Sequence, residues 1–260
     1  MSVIEKPRWF GGKKLLALAL VSLASAPPLS TYIATRSFER IKARPVERTI
    51  RVTGSAKQRI TSDLIEWSAT VSAEAPDKLA AYRRLHTDVD ATVAYLRAQG
   101  VPEGEIFPDS ATIEERFTTV YEGSGDDRIA KQVLTGYHAR QYVAVRSGDV
   151  QRVERVSREI TTLLENGVTV TSNQPAYYYT KLGDLKIEML SAASKDARTR
   201  AENMLKSAGG ASLSSLRDAD MGVINVNPAN SSETSWEGNN DTSSLEKDVI
   251  AIVHVTYGLR

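Results

Sequence analysis

The chain of 260 residues is 41% apolar and 25% charged, with 16 glycines and 9 prolines, a globular balance that excludes collagen-like, low-complexity and grossly disordered chains. It has no cysteine, which removes disulfides, zinc–thiolate sites, iron–sulfur clusters and a catalytic thiol. The net charge of +1 is uneven, with eight Lys or Arg against three acids in residues 1–47 and twenty-five against twenty-nine in residues 48–260; a mildly acidic body is poorly suited to nucleic-acid backbones.

The first predicted element is apolar. Leu15 to Ala34 carries no charge and holds 14 apolar residues, directly after Lys13-Lys14. Twenty helical residues span about 30 Å, one hydrocarbon core. The expectation is a cytoplasmic tail (1–14) and an uncleaved transmembrane anchor (15–34), with the body in the periplasm of a bacterial inner-membrane protein. Basic residues flank the run on both sides, so orientation rests on Lys13 and Lys14 abutting it and on the shortness of the tail. The competing reading is a cleaved signal peptide and a secreted periplasmic protein, since Ala24-Ser25-Ala26 has the small-x-small pattern; Pro27 after the cut disfavours it. Residues 35–47, charged and containing Pro45, read as a linker.

The body begins near Arg48. RTIRVTGS reads as a short strand whose Gly54 marks a turn or bulge. Gln58 to Ala75 reads as one long strand, with Ile65, Trp67, Ala69, Val71 and Ala73 on one face and polar residues on the other. After Pro76-Asp77 the period lengthens: Leu79, Tyr82, His86, Val89, Val93 and Leu96 form the stripe of an amphipathic helix ending at Gly100. Ile106–Tyr121 and Lys131–Ser147 read as a hairpin around the polar EGSGDDRIA. A second helix, 149–166, turns Val150, Val153, Ile160, Leu163 and Leu164 inward and Arg152, Arg155 and Arg158 outward.

The same order then returns. Val168–Lys181 is strand-like, and Asp184–Ala208 is a helix with Leu185, Met189, Ala193, Ala197, Ala201 and Leu205 at steps of four. Two strands, Leu213–Asn227 and Lys247–Gly258, flank the polar PANSSETSWEGNNDTSSLE. This predicts an α+β fold of largely antiparallel sheets with helices packed on one face. Two pseudo-repeated strand-helix-strand-strand lobes, 48–147 and 168–260, are joined by the helix 149–166.

RTIRVTGSAKQRITSDLIEWSATVSAE, LRAQGVPEGEI, TGYHARQYVAVRSGDV, ENGVTV, AASKDARTRAENMLKSAGG and VIAIVHVTYGL together resemble the bacterial SIMPL domain family. This is a domain of unknown function that includes periplasmic immunogenic proteins and is named after a kinase-interacting relative. The resemblance covers about Arg48 to Arg260. It implies an exported or envelope-anchored α+β protein that self-associates, and brings no catalytic site with it. The family pattern also favours Gly54 and Asp63, read here as a backbone-angle position and a turn or strand-end hydrogen bond.

No constellation points to chemistry. His86, in the helix stripe, reads as a packed imidazole; His138 and His254 lie in strands with no second ligand at i+2 or i+4. The pairs Glu114-Glu115 and Asp126-Asp127 read as solvated surface. No nucleophile elbow, phosphate loop or dinucleotide fingerprint occurs. The expectation is therefore no catalytic, cofactor or metal residues, and a protein that is not an enzyme. The interface candidates are Tyr177, Tyr178 and Tyr179, one of whose rings must leave the strand's buried face, and Trp236, isolated in a polar loop. An equal reading packs Tyr177 and Tyr179 under a helix. The partners expected are the membrane, a second copy of the chain and an envelope protein. The function expected is a self-associating envelope assembly or binding module, with a soluble periplasmic stress or ligand-binding protein, or an enzyme using a cleft between the lobes, as alternatives.

Overall fold

The structure, a computed structural model, describes residues 35–36, 48–123 and 128–260. The predicted tail, anchor and most of the linker lie outside the described residues, as do residues 124–127 of the first polar loop. No helix among the described residues is long and apolar enough to cross a membrane.

The fold is α+β and built from two antiparallel sheets. β1 (Thr49–Thr61) and β2 (Leu64–Ala75) are consecutive but enter different sheets. β2 precedes α1 (Lys78–Ala98), β3 (Ile106–Pro108), β4 (Thr112–Glu122) and β5 (Ile129–Ser147). Then come α2 (Val150–Glu159) with a 3-10 continuation (Ile160–Asn166), β6 (Thr169–Ser172), β7 (Ala176–Tyr178), α3 (Leu182–Ala208), β8 (Leu213–Pro228) and β9 (Glu246–Leu259). One sheet has the order β1-β9-β8. The other runs β3-β5-β2-β6, with β4 also on β5 and β7 also on β2. Each sheet centres on a strand, β9 or β5, flanked by its predecessor across a polar loop and by an earlier strand.

The two sheets do not follow the division of the chain at residue 148. β1 crosses to pair with β9 along its whole length, and β6 and β7 return to β2. The long strand expected over 58–75 therefore breaks at Ser62-Asp63, where the chain passes from one sheet to the other.

Each sheet carries helices on one face. Beneath β2 and β5, Ile65, Trp67, Ala69, Val71, Val143 and Val145 pack against Ala81, Leu85 and Leu96 of α1 and Val153, Val156 and Ile160 beyond β5. Beneath β1 and β9, Val249, Ala251, Val253 and Val255 pack against Leu185, Met189, Ala193 and Ala197 of α3. The predicted α3 ladder is buried residue for residue. The α1 stripe is rotated from expectation. Its buried face is Ala81, Leu85, Asp88, Val89, Thr92 and Leu96, whereas Leu79 and Tyr82 are exposed. The small Ala81 and Thr92 let the helix approach the sheet, which large residues counted by size alone conceal. His86 is likewise exposed, not packed, its Nδ1 3.1 Å from the Asp90 carboxylate. Leu164, expected inward, is exposed in the 3-10 turn.

Gly54 is not a turn or bulge. β1 runs straight through it in register with Val253, and its lack of a side chain serves close packing. A Cβ there would stand 2.1 Å from the Ala193 carbonyl oxygen of α3. The second crossing between sheets, from β7 to α3, is pinned to the first. Asp63 accepts hydrogen bonds from the Thr180 amide at 2.7 Å and the Thr180 hydroxyl at 2.8 Å.

Candidate interaction surfaces

The tyrosine run lies at that second crossing. Tyr177 is buried in the first core and its hydroxyl donates to Glu154 at 3.4 Å; burial and the Glu154 charge raise its pKa, with Arg158 opposing. Tyr179 packs against the second core, and Tyr178 is half-buried on β7 opposite Leu64. Tyr177 and Tyr179 thus serve one core each because β7 ends at Tyr178, and Tyr177 has no surface to offer a partner.

A different surface is unpartnered. From Tyr137 to Arg140 β5 has β2 on one side and β4 on the other, and from Val143 to Val145 it has β2 and β3, but from Ile129 to Leu134 it pairs only with Phe117–Glu122 of β4. A bulge between Arg116 and Phe117 leaves Thr135 as the extra residue, its hydroxyl bonded to the Arg116 carbonyl at 3.1 Å, and re-aims the ribbon as a separate arm. Phe117, Tyr121 and Leu134 lie on one face of this arm, Val120, Ile129 and Val133 on the other, all of them exposed. Isolated two-stranded ribbons are marginal in water. Arg128 over the Tyr121 ring at 4.4 Å and Lys131 at 3.4 Å from Glu122 are its visible supports. Sequence reading placed a hairpin here without seeing that the arm outruns the sheet, because the pairing of β2 sets where the arm begins.

Trp236 also stands out, as a residue 88% exposed. The loop that carries it, residues 229–245, is nonetheless held firmly. Asn225 and Asn227 on β8, each 1% exposed, bind its backbone, with Asn225 Oδ1 accepting from the Ser235 and Asn239 amides at 2.9 and 3.1 Å. Asn227 donates to the Glu233 carbonyl and accepts from the Asn239 side chain at 2.9 Å. Two asparagines at i and i+2 in a strand, a residue type that strands disfavour, were the available signal for this anchorage.

The far end of the loop closes on a buried ion pair. Lys247 is 1% exposed, and its ammonium donates to the Asp241 carboxylate at 2.9 Å and the Asp241 carbonyl at 2.6 Å. Burial alone would raise the Asp241 pKa, but hydrogen bonds from Ser244, Ser243 and Lys247 outweigh it and hold the carboxyl well below the usual range. Asp248 is held low in the same way by hydrogen bonds from Arg59 and Lys57. On the other lobe, burial raises the Asp88 pKa against the opposing charge of Arg84, and one Asp88 oxygen has no hydrogen-bond partner.

His138 lies 3.4 Å from Glu74, which also pairs with Arg116, and His254 bonds Thr53. Among the described residues no group of three His, Asp or Glu side chains is arranged to hold a metal ion. The ionisable groups instead tie strands, helices and loops together within each sheet and its helices.

A family model described as SIMPL, protein of unknown function (DUF541), matches residues 50–257. The chain belongs to the SIMPL family. The match runs from β1 to β9 and so takes in both sheets, the helices α1, α2 and α3, the β4–β5 arm and the Trp236 loop. No curated protein matches this SIMPL chain.

Proposed function

We propose that this SIMPL protein is a membrane-anchored module on the periplasmic side of the envelope, acting by association with further copies of itself and not by turnover. The observation that carries the self-association is the β4–β5 arm. An arm apolar on both faces, with β4 forming a free edge, buries little of its own surface. Edge strands of this kind are templates for pairing unless blunted. Of the two edges of the other sheet, β8 is blunted by three register irregularities and β1 is partly covered by α3, whose Asp196 accepts from the Ser55 amide at 2.8 Å, which leaves the arm as the better docking element. A second copy supplies the matching surface: the same apolar faces and the same free edge, as isologous interfaces require. The anchor rests on the uncharged run Leu15–Ala34 behind Lys13-Lys14.

Photo-crosslinking tests the reading. With benzoylphenylalanine at position 121, irradiated membranes should yield a covalent species of this chain with itself, whereas the same probe at the exposed Thr199 of α3 should not. Cross-links from position 121 only to a different protein, or none, would overturn it. One observation favours a soluble form: Ala24-Ser25-Ala26 offers a cleavage pattern. The intact mass separates the two, since the anchored protein starts at or near Met1 and the released one near Pro27.

A further inference from the structure

The sheet β1-β9-β8 carries α3 on one face, and the 229–245 loop covers only one end of the other. Where that cover stops, an open groove of about 260 Å³ crosses all three strands. Thr53 of β1, Asn225 of β8, Ile252 and His254 of β9, and Ser235 and Trp236 of the loop line it.

Three features of the groove constrain its ligand. Trp236 stands 88% exposed on a backbone held in place: the Ser235 amide is bonded to Asn225, the Glu237 amide to the Ser235 hydroxyl at 3.2 Å and the Gly238 amide to the Ser235 carbonyl at 3.3 Å. Holding a large aromatic in water forgoes the free energy of burying it. No Asp, Glu, Lys or Arg lines the groove, and the carboxylate next to it, Asp220 opposite His254 on β8, disfavours an anion, so the lining itself selects no charged ligand. Its floor is not purely apolar either, because the Thr53 hydroxyl and the His254 Nδ1, 3.0 Å apart, form a fixed polar pair. A wholly apolar occupant would strip that pair of water without replacing its hydrogen bonds.

An aromatic face beside hydroxyl and imidazole donors and acceptors fits a molecule with an apolar C–H face and a rim of hydroxyls. The electron-rich ring face attracts the weakly positive C–H groups, and the polar pair answers the hydroxyls. We infer that this groove is a saccharide-binding site, in which a neutral sugar ring stacks on Trp236 and hydrogen-bonds to the His254–Thr53 pair. The groove draws on none of the arm residues, so the inference is independent of self-association.

The test uses the full-length chain in lipid nanodiscs, titrated separately with an N-acetylglucosamine tetramer and a glucose tetramer by calorimetry and tryptophan fluorescence. Trp67 is 3% exposed, and Trp236→Phe supplies the baseline for the remaining tryptophans. Saturable binding of at least one tetramer at about 1 mM or tighter is expected. It should be retained in part by Trp236→Phe, weakened about tenfold by His254→Ala and abolished by Trp236→Ala. Circular dichroism should be unchanged in all three, since the Trp236 ring packs on little. The inference is overturned by the absence of saturable binding of either sugar up to about 10 mM, or by undiminished binding in Trp236→Ala. It is also overturned if Trp236 emission follows protein concentration and not sugar, which would give the ring to a second copy. The arm cross-link is scored separately, so either result stands without the other.

Discussion

Replacing Gly54 with alanine puts a carbon atom 2.1 Å from the carbonyl oxygen of Ala193, 2.5 Å from the amide nitrogen of Ala197 and 2.6 Å from its Cβ. Two of those three atoms are backbone, so no side-chain rotation relieves the clash and α3 must lift from the sheet. The ladder from Leu185 to Leu205, six residues each at most 9% exposed, lifts with it. Overpacking a core ordinarily costs 1–3 kcal/mol, and rigid neighbours place this case at about 3 kcal/mol or above. For a body of roughly 200 residues that is a fall in Tm of about 6–12 °C. Gly183, in the first turn of the same helix, has nothing within 4 Å of its would-be Cβ. Gly183→Ala should therefore be neutral or stabilising by up to about 1 kcal/mol. Urea denaturation followed by circular dichroism measures both. A Gly54→Ala protein within about 0.5 kcal/mol of wild type would refute the account of why this strand needs a glycine.

Removing the buried ammonium by Lys247→Met leaves the Asp241 carboxylate uncompensated and should cost about 3–5 kcal/mol, read by denaturation; Asp241→Leu added to it should recover much of the loss. Because Asp241 and Asp248 titrate lower in the folded protein than in the unfolded chain, their stabilisation is complete above the ordinary carboxylate pKa of about 4 and is lost as pH falls below it. Amide exchange in residues 229–245 should accelerate in that acid range before the rest of the sheet. Asp88 has the opposite sign: its raised folded pKa means its contribution improves as pH falls. Asp88→Asn should therefore stabilise at pH 7 by about 1 kcal/mol and lose that advantage in acid; unfolding free energies at the two pH values check it.

What the sequence discloses depends on whether the cause is local. The α3 ladder and the alternation of β2 follow from side-chain period against a single buried face, so Leu185 through Leu205 and Ile65 through Ala73 were legible. The exchange of β1 and β6–β7 between sheets was not, because strand partners are chosen by long-range pairing and the Ser62-Asp63 break leaves the alternation intact. The Gly54 requirement arises from α3, some 140 residues away in the chain. Whether Tyr177 and Tyr179 face a partner or pack under a helix stays open in the sequence until β7 is seen to end between two cores. Trp236 was legible as an outlier, yet its exposure depends on Asn225 and Asn227 holding the loop. The arm was legible as a hairpin but not as an unpaired one, since its freedom is set by where β2 stops.

The central claim, that the exposed arm joins copies of this SIMPL chain, is tested most directly by solution mass. Sedimentation velocity on the full-length protein in nanodisc or detergent, with the carrier mass subtracted, is compared with the pair Tyr121→Lys and Ile129→Lys, one change on each arm face. The account predicts a defined oligomer that the double variant reduces to a monomer while the far-ultraviolet circular dichroism is preserved. A wild-type monomer, or an oligomer indifferent to both charges, would contradict it.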